Sequence, residues 1–411
     1  MVKMENPLNA WLGELPADWE KRKLKYIFSI KKDIAGEEGH TVLSITQQGI
    51  VPKKMDEKGQ FAADYSKYQI VHPGDFAMNH MDLLTGWVDI SEHDGVTSPD
   101  YRVFVLNDKN NYCAEYFKYI FQLCYKHRIF YSLGQGVAGF GRWRLPADMF
   151  LNFVLPIPSY DEQVMIAEKI AEECGVIDSI IQGAYESIVD YKNAKKSLIS
   201  EVVTKGLNPG TSMKDTNISW IGEIPSHWSI SRIKNEFYNL DYMREPISAE
   251  NRENKLGLYD YYGASGIIDK IDDYNVDDTV LLIGEDGANL RMRNLPLVYR
   301  ASGKFWVNNH AHILKVKETN DYEYMAYLLE AGDYNQYITG SAQPKLSQFN
   351  LMRFYIPIPP KEEQIQMVSY LDSKCVVMDA LIEEKKALID ELETYKISMI
   401  YELVTGKRRV V

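Results

Sequence analysis

Cysteine is scarce in this sequence of 411 residues: Cys113, Cys124, Cys174 and Cys375 are its only four, and no two form a CxxC pair or a zinc spacing. Reduced thiols in a cytosolic setting are expected from this, not a disulfide framework or a zinc module. No apolar run of roughly eighteen residues occurs, so no membrane-spanning helix is expected. The opening MVKMENPLNAW has neither the basic start nor the apolar stretch of a secretory leader, and a cytoplasmic location is expected. Catalytic signatures are missing as well. There is no GxxxxGKS/T phosphate loop and no D/N-P-P-Y/F tetrad of an amino-methyltransferase. GQGVAG (Gly134–Gly139) has the form GxGxxG, but it follows a helix end and precedes an aromatic, basic turn, so it reads as a loop. His310 and His312 share a strand face with no third ligand in sight, and GEDG (Gly284–Gly287) reads as a turn, so no metal is expected. Positive charge is also in deficit. The net charge of −12 taken alone disfavours a nucleic-acid partner, although the distribution of charge matters more than its sum.

What is present is a folded composition, 45% hydrophobic and 25% charged, in a chain too long for one ordinary core. It is also a repeated frame. WLGELPADW (Trp11–Trp19) returns as WIGEIPSHW (Trp220–Trp228), offset by 209 residues. LPIPSYDEQ (Leu155–Gln163) returns as IPIPPKEEQ (Ile356–Gln364), and ISEVVT (Ile199–Thr204) as IYELVT (Ile400–Thr405), both offset by 201. The frame is duplicated while the text between the first and second phrases differs, which excludes a short-period solenoid.

After each PIP phrase the sequence predicts a long helix. Pro156, Pro158, Pro357, Pro359 and Pro360 are expected to stop any strand, and Asp161, Glu162, Glu362 and Glu363 suit a positive helix start. The apolar seam Cys174, Ile177, Ile181, Ala184, Ile188, Tyr191, Lys195, Leu198, Val202 steps by three and four, and the same register returns 201 residues later from Cys375 to Leu403. Helices of about 40 residues, about 60 Å long, need a partner for such a stripe, and each supplies the other's. An antiparallel pair about a pseudo-twofold axis would hold Cys174 and Cys375 about 30 Å apart, too far for a disulfide. Lys195 and Lys396 fall on the seam, where they either fix register or snorkel outwards.

Residues 20–154 and 229–355 each have the size of one module. Strands are predicted at Thr41–Ile45, Tyr101–Leu106, Thr279–Gly284 and His310–Val316, and helices near Ala114–Tyr125 and Tyr322–Glu330, giving mixed α/β units. The basic residues concentrate here. Gly287–Lys317 holds Arg291, Arg293, Arg300, Lys304, Lys315 and Lys317 with no acid, and Lys126–Ala147 holds Lys126, Arg128, Arg142 and Arg144 with none. In GFGRWR (Gly139–Arg144), FWVNNHAH (Phe305–His312) and SAQPKLSQ (Ser341–Gln348) these cations interleave with aromatics and amides, the types that phosphate contact and base readout require. Any one such run can equally be a solvated face.

Two different modules in a duplicated frame, joined by paired helices, resemble the DNA-specificity (S) subunit of a type I restriction-modification enzyme. The carriers are the tryptophan phrases at Trp11 and Trp220 and the PIP phrases at Pro156 and Pro357, each present twice and in the same order. The resemblance implies an α/β (α+β) fold of two mixed globular target recognition domains separated by two long helices paired as an antiparallel coiled coil. Its segments would be domain 1 (residues 1–155), helix 1 (156–206), domain 2 (207–356) and helix 2 (357–411). It implies a non-catalytic chain that reads a bipartite, asymmetric double-stranded DNA site, one half per module. Two copies of the modification (methyltransferase) subunit and the restriction/translocase subunits would be partners, carrying S-adenosylmethionine and ATP; no cofactor is expected on this chain, and no membrane. The residues expected to face DNA are Gln135, Arg142, Arg144, Arg291, Arg293, Lys304, Asn308, Asn309, Gln343 and Lys345. Those expected to hold partners are Trp11, Trp19, Glu162, Gln163, Trp220, Trp228, Glu363 and Gln364; for the tryptophans, packing within the module is the other reading. A tandem-module scaffold binding proteins or glycans is the alternative function.

Overall fold

The computed structural model describes residues 9–53, 64–136 and 143–410. Its contacts divide the chain into two units, Met1–Ala184 with Lys386–Val411, and Tyr185–Lys385. Each unit therefore owns one module, one end of the first long helix (Tyr160–Lys205) and the opposite end of the second (Lys361–Val404).

In the first unit the strand Phe28–Lys31 pairs with Arg102–Leu106, which pairs with Phe76–Met78 and through it with Val88–Ile90, all antiparallel. The helix Ala114–Lys126 lays Phe117 and Phe121 on this sheet, and Phe28 meets Phe76, Phe104 and Phe117 at ring separations of 5.3–5.4 Å, mostly edge to face. Edge contact of that kind aligns positive ring edges with negative faces and fixes the packing angle. Two smaller ladders, Leu43–Thr46 with Gly49–Pro52 and Gln69–Val71 with Gly95–Thr97, complete the module.

The second unit repeats the sheet with different residues: Phe237–Asn239, Ala311–Val316, Val280–Gly284, Val298–Ala301, in that order, with the helix Tyr322–Ala331 following. It adds a second four-stranded sheet, in order Gly266–Ile271, Leu256–Gly263, Lys304–Val307, Val276–Asp277. Its first two strands come from LGLYDYYGASGIIDKI, whose hairpin closes at Gly266 with φ +94°, a conformation that favours glycine.

The prolines do not stop the strands. Val154–Ile157 contains Pro156 and pairs with Glu20–Lys23; Tyr355–Ile358 contains Pro357 and pairs with Ser229–Arg232. Among the described residues each ladder has two strands, so a residue lacking an N–H can be accommodated on its open side. The carbonyls of both prolines accept a buried tyrosine hydroxyl, Tyr116 on Pro156 and Tyr324 on Pro357.

Along both long helices the seam is the buried stripe. Cys174, Ile177, Ala184, Ile188 and Val202 are buried in the first, and Cys375, Ile382, Ile389, Met399 and Leu403 in the second. In the first unit Cys174 and Ile177 share a core with Met399 and Leu403; in the second Ile199 and Val202 share one with Leu371 and Cys375, so the helices run antiparallel in each. The seam lysines are partnered: Lys396 reaches Asp178 at 2.6 Å in the first unit, and Lys195 reaches Asp379 at 2.6 Å in the second. These are equivalent pairs under the 201-residue offset.

Candidate nucleic-acid interface and the helix staples

The repeated phrases meet the helix ends. Trp19 donates its indole N–H to Glu162 at 3.0 Å in the first turn of the first long helix, and its ring lies against Gly406, just past the end of the second. Trp228 donates to Glu363 at 2.9 Å in the first turn of the second long helix, and its ring lies against Gly206, just past the end of the first. Both glycines have positive φ, +70° and +74°, as a helix C-terminal cap requires. Each tryptophan thus staples the start of one long helix to the end of the other. Tyr116 adds a second tie, donating to Val404 O as well as to Pro156 O; Tyr324 does the same with Val203 O and Pro357 O. The glutamines of the PIP phrases fix the module helices. Gln163 accepts from the Cys113 amide and Gln364 from the Asp321 amide, at the two module-helix starts, while each donates back to a proline carbonyl.

Trp11 stacks on Phe153 at 5.5 Å and Trp220 on Phe354 at 5.1 Å. Trp228, Gln163 and Gln364 are each 1% exposed, so their side chains serve the fold and offer nothing to a partner directly. Glu363 keeps partial exposure and also holds His227; Glu162 is covered and also takes Arg409, which bridges to Asp18.

The residues expected to face DNA are not all brought together. In the second module, the ends of Phe237–Asn239 and Val280–Gly284 and the start of Ala311–Val316 converge. They gather the loops of residues 240–248, 285–293, 308–310 and 343–348 at one end of the sheet. Arg291, Asn309 and Gln343 are exposed there. Lys345 is also exposed but ion-paired with Glu285 at 3.0 Å. Asn308 is buried and accepts from the His310 amide, shaping the turn. Arg293, at φ +52°, donates to the carbonyls of Glu330 and Gly332 and braces the loop from beneath. Lys304 belongs to the other sheet, at the far end of the strand that leads to Asn308, and lies over the Tyr274 ring at 4.4 Å.

An ionic cluster that the sequence did not flag supports this end of the module. Arg244 contacts both Glu285 and Asp241, and Asp241 also takes the buried His312, whose other ring nitrogen meets Leu346 O at 2.8 Å. Burial raises the Asp241 carboxyl, but the His312 hydrogen bond and charge, the Ile313 amide and Arg244 outweigh it and hold it below the usual range. Burial likewise raises Glu285, and hydrogen bonds from Arg244 and Lys345 outweigh that. Arg244 stands alone among acids in DYMREP, so no run marked it. His310 lies just before the strand, not in it, and turns its ring to Asp286 instead of sharing a face with His312.

The first module has a matching hairpin, Gln135 bridged to Arg144 through both backbone pairs, as Thr339 is bridged to Lys345 in the second. Gln135 and Arg144 are exposed. Arg142, like the rest of residues 137–142 and the end of GQGVAG, lies outside the described residues. Behind the hairpin, His80 is depressed to about 4 by burial and by the charges of Arg102 and Arg144, so it is neutral near pH 7. Buried Arg102 donates to Leu145 O, the equivalent of the Leu346 carbonyl met by His312. Beside the hairpin a groove of about 880 Å³ offers Ser44, Thr46, Asn79, Asp82 and Trp143. Among the described residues no cluster of His, Cys, Asp and Glu could hold a metal, and no helix is long and apolar enough to cross a membrane.

Comparison with known proteins gives these surfaces a context. Residues 225–394 match the type I restriction modification DNA specificity domain. A putative type I restriction enzyme specificity subunit of Methanocaldococcus jannaschii is 24% identical over 99% of this chain and 98% of its own length. Another from Haemophilus influenzae is 32% identical over 32% of this chain and 33% of its own. Among solved structures, one of the assembly and conformational transition of a type I restriction-modification system covers 96% of this chain and all of that one, with a TM-score of 0.71 at 13% identity. The HsdS subunit of Thermoanaerobacter tengcongensis covers 96% of this chain and 98% of its own, with a TM-score of 0.52 at 15% identity. These two likenesses speak for the fold. The chain is thus similar from end to end to a putative DNA-specificity subunit of a type I restriction enzyme, and residues 225–394 carry the specificity domain of that family.

Proposed function

We propose that each module reads one half of a split, asymmetric DNA site, and that the paired helices set the distance between the halves. Two copies of a methyltransferase subunit dock on the duplicated frame, and restriction/translocase subunits join the full assembly. S-adenosylmethionine and ATP belong to those partners. The observation that carries this reading is the pairing of identical staples with different modules. Trp19–Glu162 and Trp228–Glu363 repeat the same indole-to-carboxylate bond, whereas the loop ends of the two modules differ in charge and shape. A frame duplicated within one chain offers equivalent surfaces to like partners, yet unlike modules free the site from the palindrome that a homodimer imposes.

The test is co-expression with the cognate methyltransferase subunit and methylation-aware sequencing of the host DNA. A two-part modified motif is expected, and exchanging residues 229–355 for the module of a relative should change one half only. A motif that changed in both halves, or modification without a second half, would remove the one-module, one-half assignment.

A further inference from the structure

Two adjoining grooves of about 680 and 630 Å³ run along the edge strand Phe237–Asn239 and the short helix Gln348–Arg353, sharing Lys234 and Met352. They begin at the loop end of the second module, where Gln348 donates to Asn239 at 2.9 Å. Four cations border them: Arg232, Lys234, Lys317 and Arg353. Asp278, the acid that lines them, is paired with Lys315 at 2.6 Å and cancels it. Glu236 is occupied by Ser231 and Asn320.

The cations are ordered on aromatic faces. Lys317 lies 5.2 Å from the Tyr238 ring and donates to Asn235 O; Arg353 lies 4.9 Å from Phe349; Arg232 lies 4.7 Å from Tyr355. Tyr238, Phe349 and Tyr242 remain 56%, 67% and 81% exposed, a heavy outlay of aromatic surface open to solvent. Ordered cations spaced by amphipathic rings suit a sugar-phosphate backbone, which offers a charge and an apolar sugar at each step. The first module keeps only part of the strip, with Lys23 and Lys25 at the positions equivalent to Arg232 and Lys234. At the repeat-equivalent positions Asn107 stands for Lys317, Asp148 for Phe349, Asn152 for Arg353 and Asp33 for Tyr242.

We propose that this strip is a sequence-independent contact to the duplex backbone, complete in the second module only, flanking the bases read by its loops. It rests on the DNA-reading function above and adds an asymmetry to it. The second module supplies most of the salt-dependent grip, and the first relies on fit to its half-site.

The test uses the full chain carrying K234Q, K317Q and R353Q together, with a long mixed-sequence duplex as probe and affinity measured across salt concentrations. Each lost phosphate contact lowers the slope of log K against log salt by about 0.9, so a fall of about 2 to 3 is expected. A second variant, F349D, installs the first module's residue and is expected to weaken binding with the unfolding midpoint unchanged. If the unaltered chain binds steeply and both variants match it, the strip assignment is overturned, DNA reading stands, and the surface falls to an acidic protein. If the unaltered chain has no affinity for duplex, DNA reading fails and the strip with it.

Discussion

Gly206 and Gly406 occupy equivalent left-handed caps, yet they stand in different surroundings. A Cβ on Gly206 would lie 3.1 Å from the Trp228 ring, near a side chain with some room to give, whereas one on Gly406 would press directly into the ring of Pro16. Both alanine variants incur the left-handed penalty of about 1–2 kcal/mol. Only Gly406→Ala adds a full overpacking cost of about 1–3 kcal/mol. The expected order is therefore a clearly larger drop in urea midpoint for Gly406→Ala than for Gly206→Ala, with far-ultraviolet dichroism unchanged in both. Equal drops would mean that Pro16 moves aside and that the staple is softer than its geometry.

At the scale of elements, the long helices were legible because a three-four seam sustained over many residues has one simple explanation, a partner with the same seam. Their salt bridges were not legible. The sequence put Lys195 and Lys396 on the seam, but naming Asp379 and Asp178 as partners requires the antiparallel register, which a single helix does not encode. The PIP phrases were misread for a related reason: proline excludes a central strand, and only the fold reveals that these ladders have two strands. The Lys195–Asp379 pair carries a prediction of its own. Its side chains are 27% and 56% exposed, so the attraction is screened and worth about 0.2–1 kcal/mol. Asp379→Lys should cost at least that much by setting like charges face to face, and adding Lys195→Asp should recover most of it. A double-mutant cycle with no coupling energy would show that the lysine merely snorkels.

For the whole molecule, the duplicated frame was readable from three short phrases, whereas the interface was only partly so. The acid-free run from Gly287 to Lys317 does not make an acid-free surface, because distant acids fold onto it: Glu330 takes Arg293, Glu323 takes Arg300, Asp278 takes Lys315. Local composition cannot see partners that arrive from elsewhere in the chain. Helix length, by contrast, should be readable in the DNA site itself. The boundaries between the two units fall after Ala184 and after Lys385, which are repeat-equivalent, so whole heptads inserted at both places preserve the seam and leave every staple intact. If the helices set the spacer, one heptad in each lengthens it by about 10 Å, or about three base pairs at 3.4 Å each. That step carries the second half-site about a third of the way round the duplex, and modification should be lost. Three heptads add about 31 Å, close to the 34–36 Å of one duplex turn, and return the half-site towards its original face. Methylation-aware sequencing should then recover both half-sites with about nine or ten extra base pairs between them. Recovery with one heptad and failure with three would show that the separation is set by something other than the length of the helices.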